Sequence, residues 1–350
     1  TIRVSHPDVG GGFGMKSFDY PELFLVSLAS YDLKKPVKWQ SERQEGFLSD
    51  NDGRDLISKA EIAFDENFII KGLRVKTKCN LGAYCSGYAQ FIQTELALKV
   101  ITGAYDIKNI FLSVEGIYTN TSPVDAYRGA GRPEAIYILE RLIDYSAKIL
   151  KIDSIELRKK NFIKKEQMPY LTQSGELYDV GDFNKILDKG ILVSDFNGFF
   201  KRKKKSKQNG KLRGLGLCFY IESILGDQNE TTKIKLNNNG RISLFVGTQS
   251  NGQGHETAFA QIFHEKTGVS FDKIDIVQGD SKKIPKGGGT GGSRSVTMQG
   301  NSINVASEIM LDKLKKVTSK LFKTNKKIIF KNGVFFIENS SKFIEINDLI

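Results

Sequence analysis

Glycine residues are concentrated in four short clusters of this sequence. Glycine lets the backbone adopt positive φ angles and pass close to a ligand, and backbone amides at the start of a helix favour phosphate or another anion. Because each cluster precedes a predicted helix, the pattern indicates a large anionic ligand held mainly by the backbone. Ordinary turn glycines would explain any single cluster. The clusters occupy residues 10–14, 127–132, 251–257 and 287–295.

Standard nucleotide-binding motifs do not account for these clusters. A Walker loop requires a glycine directly before its lysine, whereas Met15 precedes Lys16. Residues 287–292 contain a Gly-x-Gly-x-x-Gly spacing, but residues 281–286 separate it from the preceding predicted strand. The acidic residue about twenty positions further on, Asp312, lies inside a predicted helix and not at a strand end. The sequence therefore disfavours a P-loop and a Rossmann dinucleotide site.

The potential metal ligands are few and scattered. Three cysteines without a Cys-x-x-Cys pair argue against a disulfide framework, a zinc finger or an iron–sulfur site. Three histidines leave little for a His-rich metal centre. Free cysteines are typical of a reducing compartment, so we expect a cytoplasmic location. The cysteines stand at positions 79, 85 and 218, and the histidines at 6, 255 and 264.

The chain is basic, with a formal net charge of +12 and a run of Lys and Arg at residues 201–207. A nucleic-acid surface would interleave basic and aromatic side chains. Residues 201–207 contain no aromatic, so we interpret them as a solvated linker and expect no nucleic-acid partner. No apolar run reaches the roughly 18–20 residues that cross a bilayer, so we also expect no membrane span.

The periodic patterns predict an α+β fold of two mixed α/β domains with antiparallel hairpins and long helices. We expect a first domain at 1–190, a basic linker at 191–212 and a second domain at 213–350. Both chain ends fall inside predicted elements, so we expect a segment of a longer protein that lacks N- and C-terminal parts. Predicted helices include 19–31, 133–150, 255–267 and 294–322, and predicted strands include 58–64, 68–78, 111–118, 214–221, 231–237, 241–247 and 275–278.

Four stretches of the chain carry a resemblance to a known family. In chain order, residues 10–16, 120–135, 247–257 and 289–295 resemble the molybdenum-binding large subunit of the xanthine oxidase family. They look most like carbon monoxide dehydrogenase large chains and their aldehyde-oxidising relatives. The resemblance implies two molybdopterin-binding domains around a molybdenum–molybdopterin cofactor, usually the cytosine dinucleotide in bacteria. It also implies that the pterin dithiolene holds the molybdenum, which agrees with the scarcity of Cys and His.

The resemblance implies roles for individual positions. Phe13, Arg128 and Gly292 would lie near the molybdenum, in its outer shell, and Gln253 would hydrogen-bond the cofactor. Backbone support and contacts to the pterin or its phosphates would come from Gly12, Gly14, Gly254, His255, Gly291, Ser293, Arg294 and Ser295. Other interpretations stay open: a core ring for Phe13, a loop amide for Gln253, a helix-start residue for His255, and a surface pair for Arg128 and Arg132.

Departures from the family pattern narrow the expected chemistry. Carbon monoxide dehydrogenases carry a copper-binding Cys where this chain has Gly129, so we expect no copper. Xanthine-oxidising members carry a Glu where this chain has Ser17. The family's catalytic Glu lies in a Gly-x-Gly-Glu stretch that these 350 residues do not contain, so no catalytic residue is assigned. We expect a hydroxylase that oxidises an aldehyde or N-heterocycle with water as the oxygen source.

The resemblance also implies partner proteins. The iron–sulfur clusters and FAD of such an enzyme would reside only on an iron–sulfur small subunit and an FAD medium subunit. The isolated chain is expected to be inactive because it lacks the catalytic Glu region. The alternative hypothesis is a catalytically inactive, cofactor-binding fragment of a split or truncated gene.

Overall fold

A computed structural model describes residues 2–225 and 229–349. The chain forms two compact units, one of Phe13–Ser223 and the other of Thr1–Gly12 together with Ile224–Ile350. We call them the first and the second unit. Both mix helices and sheets, which confirms the predicted α+β class. No helix in the described ranges is long and apolar enough to span a membrane.

The helices and strands of the first unit follow the predicted order. The elements are α1 (Pro21–Leu33), α2 (Arg43–Ser49), β1 (Leu56–Phe64), β2 (Ile70–Gly82), α3 (Ala89–Phe91, continued by a π turn Ile92–Leu96), β3 (Ile110–Tyr118), α4 (Arg132–Leu150), α5 (Ser154–Asn161), β4 (Tyr170–Leu171), β5 (Leu177–Tyr178), α6 (Phe183–Val193) and α7 (Phe199–Gln208). Strand β2 pairs antiparallel with β1 and parallel with β3. The core packs α4 and α5 against this sheet through residues such as Leu139, Ile143 and Leu157.

The second unit contains β6 (Thr232–Leu236), β7 (Ile242–Val246), α8 (His255–Thr267), β8 (Ile274–Val277), a π turn (Ser295–Gln299), α9 (Gly300–Leu321), β9 (Ile328–Lys331), β10 (Val334–Ile337), β11 (Phe343–Glu345) and α10 (Ile346–Leu349). Strand β7 pairs antiparallel with β6 and parallel with β8. The hairpin, the parallel third strand and a glycine loop leading into a long helix therefore occur in both units. Phe259, Phe263 and Ile303 are fully buried in the core of the second unit.

The two units divide the chain at other residues than the predicted domains. Residues 213–223 belong to the first unit because Leu217, Phe219 and Ile221 pack on its core. Residues 1–12 belong to the second unit because the His6 amide donates to the Gly279 carbonyl at 2.7 Å and Arg3 pairs with Asp280 at 2.7 Å. These contacts join segments far apart in sequence, which local patterns do not report.

Two sequence expectations differ from the observed backbone. The predicted strand at 214–221 does not form, since its polar backbone groups bond to side chains instead: Glu140 accepts from the Phe219 amide at 2.8 Å and Arg158 donates to the Leu217 carbonyl at 3.3 Å. The basic run at 201–207 is helical, as part of α7, and most of its side chains are exposed. Lys and Arg are good helix formers, so solvated basic residues are compatible with a helix.

Candidate cofactor-binding site

Two glycine loops lie side by side in the first unit. The Arg128 amide donates to the Phe13 carbonyl at 2.7 Å. A Cβ added at Gly14 would lie 2.7 Å from the Ala126 carbonyl oxygen, so only glycine lets these two backbones approach. Phe13 has φ 52° and is 54% exposed, which excludes the interpretation as a core ring. The structure thus brings Phe13 and Gly14 of the 10–14 cluster next to the 127–132 loop in this unit.

A buried carboxylate fixes the turn that carries Arg128. Asp125 is 4% exposed and accepts hydrogen bonds from the amides of Ala126 and Tyr88. Arg128 itself is exposed and forms no ion pair with any described residue. Its guanidinium is therefore available to a ligand, which is compatible with the outer-shell role that the family resemblance implies.

Arg132, four residues further on, is only 2% exposed and forms an ion pair with Glu222. The interpretation of Arg128 and Arg132 as a surface pair is therefore wrong. Arg132 begins α4 directly after the loop, and its ion pair with the exposed Glu222 joins the start of that helix to the 213–223 segment. The loop is consequently anchored at its C-terminal end.

Lys16 closes the first loop on the other side. Its ammonium lies 2.9 Å from Asp50 and 3.0 Å from the Tyr20 hydroxyl, which donates to Asp50 at 2.6 Å. Desolvation alone would raise the pKa of Asp50, but the hydrogen bonds from Tyr20 and Lys16 outweigh it and lower that pKa. Lys16, two residues after the Gly-Phe-Gly loop, therefore anchors it to the start of the segment that follows α2.

In the second unit, the other two glycine loops contact each other through backbone atoms. A Cβ at Gly287 would lie 2.5 Å from the Cα of Gly247, and a Cβ at Gly247 would lie 2.6 Å from the Cα of Gly287. The Gly289 amide donates to the Gly247 carbonyl at 3.2 Å. Residues 9–12 also contact one of these loops, since Gly12 lies near the Asn251 side chain and Gly252 lies near the Val9 carbonyl. Three glycine segments therefore form one surface.

A fully buried amide that the sequence analysis missed holds this arrangement. Gln299 is 0% exposed, and its Oε1 accepts from the amides of Gly247 at 2.9 Å and Thr248 at 3.2 Å. Its Nε2 donates to the Thr231 carbonyl at 3.1 Å and to the Thr232 hydroxyl at 2.8 Å. Four partners around one side chain fix the loop against β6. A Gln five residues after the Gly-Gly-Ser-Arg run gave no signal by itself.

Helix α8 begins within the loop that contains Gln253. Gly254 precedes the helix in a left-handed conformation, and no side chain caps the first-turn amides. Gln253 is exposed, its Oε1 accepts from the Asn251 amide, and its Nε2 makes no hydrogen bond to a described residue. The positive end of the helix and a free amide donor thus face outward. Both suit an anionic or carbonyl-bearing ligand.

His255 is buried and packs on an aromatic ring. It is 1% exposed, and its ring lies 4.6 Å from that of Phe259. Neither ring nitrogen has a hydrogen-bond partner with good geometry among the described residues. Burial lowers the pKa of His255, and the nearby Thr248 backbone opposes this only in part. The imidazole is therefore held neutral as support beneath the loop.

The 289–295 loop is braced from inside by Arg294. The Arg294 guanidinium is 4% exposed, pairs with the Glu230 carboxylate at 2.9 Å and donates to the Gly289 carbonyl at 2.8 Å. The Gly288 amide donates to the same carboxylate at 3.1 Å. Ser293, with φ 60°, and Gly291 are exposed, while Ser295 is half-buried at the start of the π turn. Arg294 thus supports the loop from below, and its neighbours face outward.

Gly292 lies against a side chain of its own unit. A Cβ at Gly292 would come within 2.9 Å of the Leu225 Cβ, and the Leu225 amide donates to the Gly292 carbonyl at 2.8 Å. By contrast, a Cβ at Gly254, Gly289 or Gly291 would meet no atom within 4 Å. The 287–295 loop is therefore packed at Gly292 and open at Gly289 and Gly291, where a ligand has room to approach the backbone.

The groups that these loops present match a cofactor that brings its own metal ligands. Among residues 2–225 and 229–349, no group of three His, Cys, Asp or Glu side chains could hold a metal ion. The loops offer backbone amides, the Gln253 amide and the Arg128 guanidinium, which are all donors. Donors of this kind suit phosphate and pterin oxygens. A molybdenum held by a pterin dithiolene therefore fits the residues present.

Comparison with known proteins identifies the family. Residues 1–162 and 192–350 each match a model described as a molybdopterin cofactor-binding domain. The carbon monoxide dehydrogenase large chain of Hydrogenophaga pseudoflava is 34% identical over 342 residues, which are 93% of this chain and 42% of that protein. The chain belongs to the molybdenum-binding large subunits of the xanthine oxidase family. The resemblance seen in the sequence is therefore confirmed.

Two further members of the family are similar over almost the whole chain. The nicotine 6-hydroxylase large subunit of Paenarthrobacter nicotinovorans is 30% identical over 95% of this chain and 42% of its own length. A crystal structure of a Cu,Mo-containing CO dehydrogenase superposes with a TM-score of 0.88 at 29% identity, covering 99% of this chain and 46% of that one. The chain spans about two fifths of the length of the curated relatives.

Proposed function

We propose that this chain supplies the cofactor-binding loops of a molybdenum hydroxylase. The observation that carries the proposal is the joining of the 247–254, 287–292 and 9–12 segments into one donor-rich surface by glycine contacts. Gln299 holds residues 247–248 of this surface against residues 231–232. A bound molybdenum–pterin cofactor would supply a two-electron oxidation in which water is the oxygen source. The residues of this chain bind and orient that cofactor.

Individual residues take complementary parts in this proposal. The free Nε2 of Gln253 and the uncapped amides of α8 bind cofactor oxygens. Phe13 and Arg128 would lie near the metal, where the planar guanidinium of Arg128 would donate hydrogen bonds. Gly12, Gly254, Gly291 and Ser293 would admit the cofactor close to the backbone, and Gly14 and Gly292 would hold their loops closely packed. His255, Arg294 and Ser295 would support the loops from beneath.

The proposed substrate is an aldehyde or an N-heterocycle. A relative of this chain is called a nicotine 6-hydroxylase, and nicotine contains a pyridine ring. Ser17 stands where a purine-oxidising enzyme would carry a Glu, which disfavours xanthine. Electrons would leave through iron–sulfur and FAD subunits, and the catalytic base would be a Glu outside residues 1–350. The isolated chain would then bind cofactor without turnover.

We propose that the site contains no copper. Gly129 has φ 93°, and a Cβ there would lie 2.6 Å from the Pro133 Cγ. A Cys at this position would therefore need a shift of the start of α4 as well as a left-handed backbone. Elemental analysis of the complete enzyme should find molybdenum without stoichiometric copper, and one copper per molybdenum would contradict this proposal.

Cofactor content tests the proposed function. In the complete large subunit purified with its partner subunits, Gln253→Ala should lower bound pterin several-fold while leaving the fold intact. Gln261→Ala removes the same kind of side chain from an exposed position on α8 and serves as the control. The proposal fails if both variants keep the wild-type molybdenum and pterin content.

A further inference from the structure

The segment that precedes β1 runs alongside the Arg128 turn. The Asp52 amide donates to the Pro123 carbonyl at 2.9 Å, and the Asp125 amide donates to the Asp52 carbonyl at 2.9 Å. Gly53 follows directly, and a Cβ there would lie 2.8 Å from the Tyr127 Cβ. This backbone pairing places the next residue, Arg54, opposite the turn.

The Arg54 guanidinium donates hydrogen bonds to the backbone of the turn itself. Its Nη2 donates to the carbonyl of Arg128 and, at 3.3 Å, to that of Tyr127. The guanidinium carbon lies 4.8 Å from the centre of the Tyr127 ring, a cation–π contact. One side chain thus contacts the carbonyls of Tyr127 and Arg128 and the Tyr127 ring.

A buried carboxylate orients Arg54. The Arg54 Nε lies 3.7 Å from Oε1 of Glu134, whose side chain is 5% exposed. Glu134 stands in the first turn of α4, where the helix dipole favours a negative charge. Arg54 has φ 61°, a conformation that non-glycine residues adopt rarely, so its backbone is held in place by these contacts. The Nε of the guanidinium faces Glu134 while its Nη2 donates to the two carbonyls, and the single ammonium of Lys cannot take both positions.

We infer that Arg54 is a positioning residue that sets the direction in which Arg128 meets the cofactor. The inference rests on the proposed function and deepens it. Arg54 does not touch the cofactor in this role; it fixes the peptide from which the Arg128 side chain extends. A displaced peptide would move the Arg128 guanidinium relative to the metal, and the electronic environment of the metal would change with it.

The test uses the complete enzyme with its partner subunits and three variants. Arg54→Ala removes the hydrogen bonds to the Tyr127 and Arg128 carbonyls. Arg54→Lys keeps a positive charge beside Glu134 without the guanidinium. Arg141→Ala is the matched control, because Arg141 is an exposed residue of α4 that lines the same groove beside Arg54 and Glu134 and contacts neither loop. For each protein we would measure molybdenum and pterin content, the electron paramagnetic resonance spectrum of the reduced metal, and the melting temperature.

Loss of a hydrogen bond from a charged donor typically weakens an interaction about tenfold or more. We therefore expect Arg54→Ala to lose pterin about tenfold faster on dialysis and to show an altered resonance spectrum. Guanidinium ion at low millimolar concentration should restore the spectrum partly in Arg54→Ala and have no effect on Arg141→Ala. If Arg54→Ala does not fold, Arg54→Lys tests the inference in its place. We expect Arg54→Lys to have the melting temperature of the wild type and the altered resonance spectrum.

The outcomes separate this inference from the proposed function. If the wild type contains molybdenum and pterin, and the Arg54 variants match Arg141→Ala in pterin retention and spectrum, the inference is wrong and the proposed function stands. If Arg54→Lys restores the wild-type spectrum, charge alone matters and the positioning role is wrong. If the folded wild type takes up no pterin, the proposed function fails first.

Discussion

Gly247 and Gly287 lie back to back in the second unit, so closely that a Cβ on either residue would come within 2.6 Å of the other's Cα. The Cα of each residue occupies the space that a side chain would need. The approach lets the Gly289 amide reach the Gly247 carbonyl, so two loops separated in sequence by α8 and β8 act as one surface.

The first prediction concerns this glycine contact. Gly287→Ala should lower the free energy of unfolding by about 1–3 kcal/mol, because overpacking forces the backbones apart, and it should also lower pterin content. Gly291→Ala is the matched control for the unfolding measurement, since a Cβ there meets nothing within 4 Å. Denaturant titration of both variants checks the prediction, and equal unfolding midpoints would contradict it.

The second prediction concerns Gln299. Replacement by Leu fills a similar volume but leaves the amides of Gly247 and Thr248 unpaired, and each buried unpaired donor costs about 1–3 kcal/mol. We expect a loss of at least ~2 kcal/mol in the free energy of unfolding together with a loss of cofactor. Gln253→Ala should instead lose cofactor at wild-type stability. Urea unfolding combined with pterin assay distinguishes the two, and an identical response of both variants would argue against separate roles.

The third prediction concerns pH. Because burial lowers the pKa of His255, the unfolded chain takes up a proton more readily than the folded one. The stability contributed by the neutral ring is therefore fully present above about pH 6.5 and is lost as the pH falls through the lower folded pKa. His255→Phe removes this dependence and keeps the packing on Phe259. Measured between pH 5 and 8, the free energy of unfolding should fall more steeply on acidification for the wild type than for His255→Phe. An equal fall in the two proteins would contradict the prediction.

A fourth prediction concerns the N-terminal segment. The hydrogen bond from Arg3 lowers the pKa of Asp280 to about 2. The attachment of residues 2–6 to the 279–281 segment should persist above about pH 3.8 and weaken as the pH falls through about 2. Asp280→Asn should behave at pH 6 as the wild type does in acid. Proteolytic sensitivity of this segment in the two proteins measures the effect, and equal sensitivity at pH 6 would exclude a role for the ion pair.

The sequence predicted the parts of this structure that depend on local patterns. The apolar stripe of α4, the turn at 238–240 between β6 and β7, and the glycine loops before α8 and α9 all follow from residues close together in the chain. The prediction that these loops bind a pterin came from the family resemblance. Each observed loop therefore lies next to the helix that the sequence predicted.

The supporting contacts could not be read from the sequence. Arg54 and Arg128 are 74 residues apart, and Gln299 is 52 residues from Gly247. Nothing in the local sequence of Arg54 or Gln299 distinguishes it from an ordinary polar residue. The strand predicted at 214–221 fails for a related reason: its alternating apolar residues do face a core, but Glu140 and Arg158 take the backbone bonds that a neighbouring strand would otherwise make.

The central claim, that these loops hold a molybdenum–pterin cofactor, is tested most directly by analysing what the complete large subunit carries. The protein would be produced with its partner subunits in a host that makes the cofactor, and molybdenum would be measured by mass spectrometry alongside the nucleotide released from the pterin by acid. We predict molybdenum and pterin in equal amounts, close to equimolar with the chain, and cytidine monophosphate as the released nucleotide. A folded wild-type protein that contains neither molybdenum nor pterin under these conditions would contradict the claim.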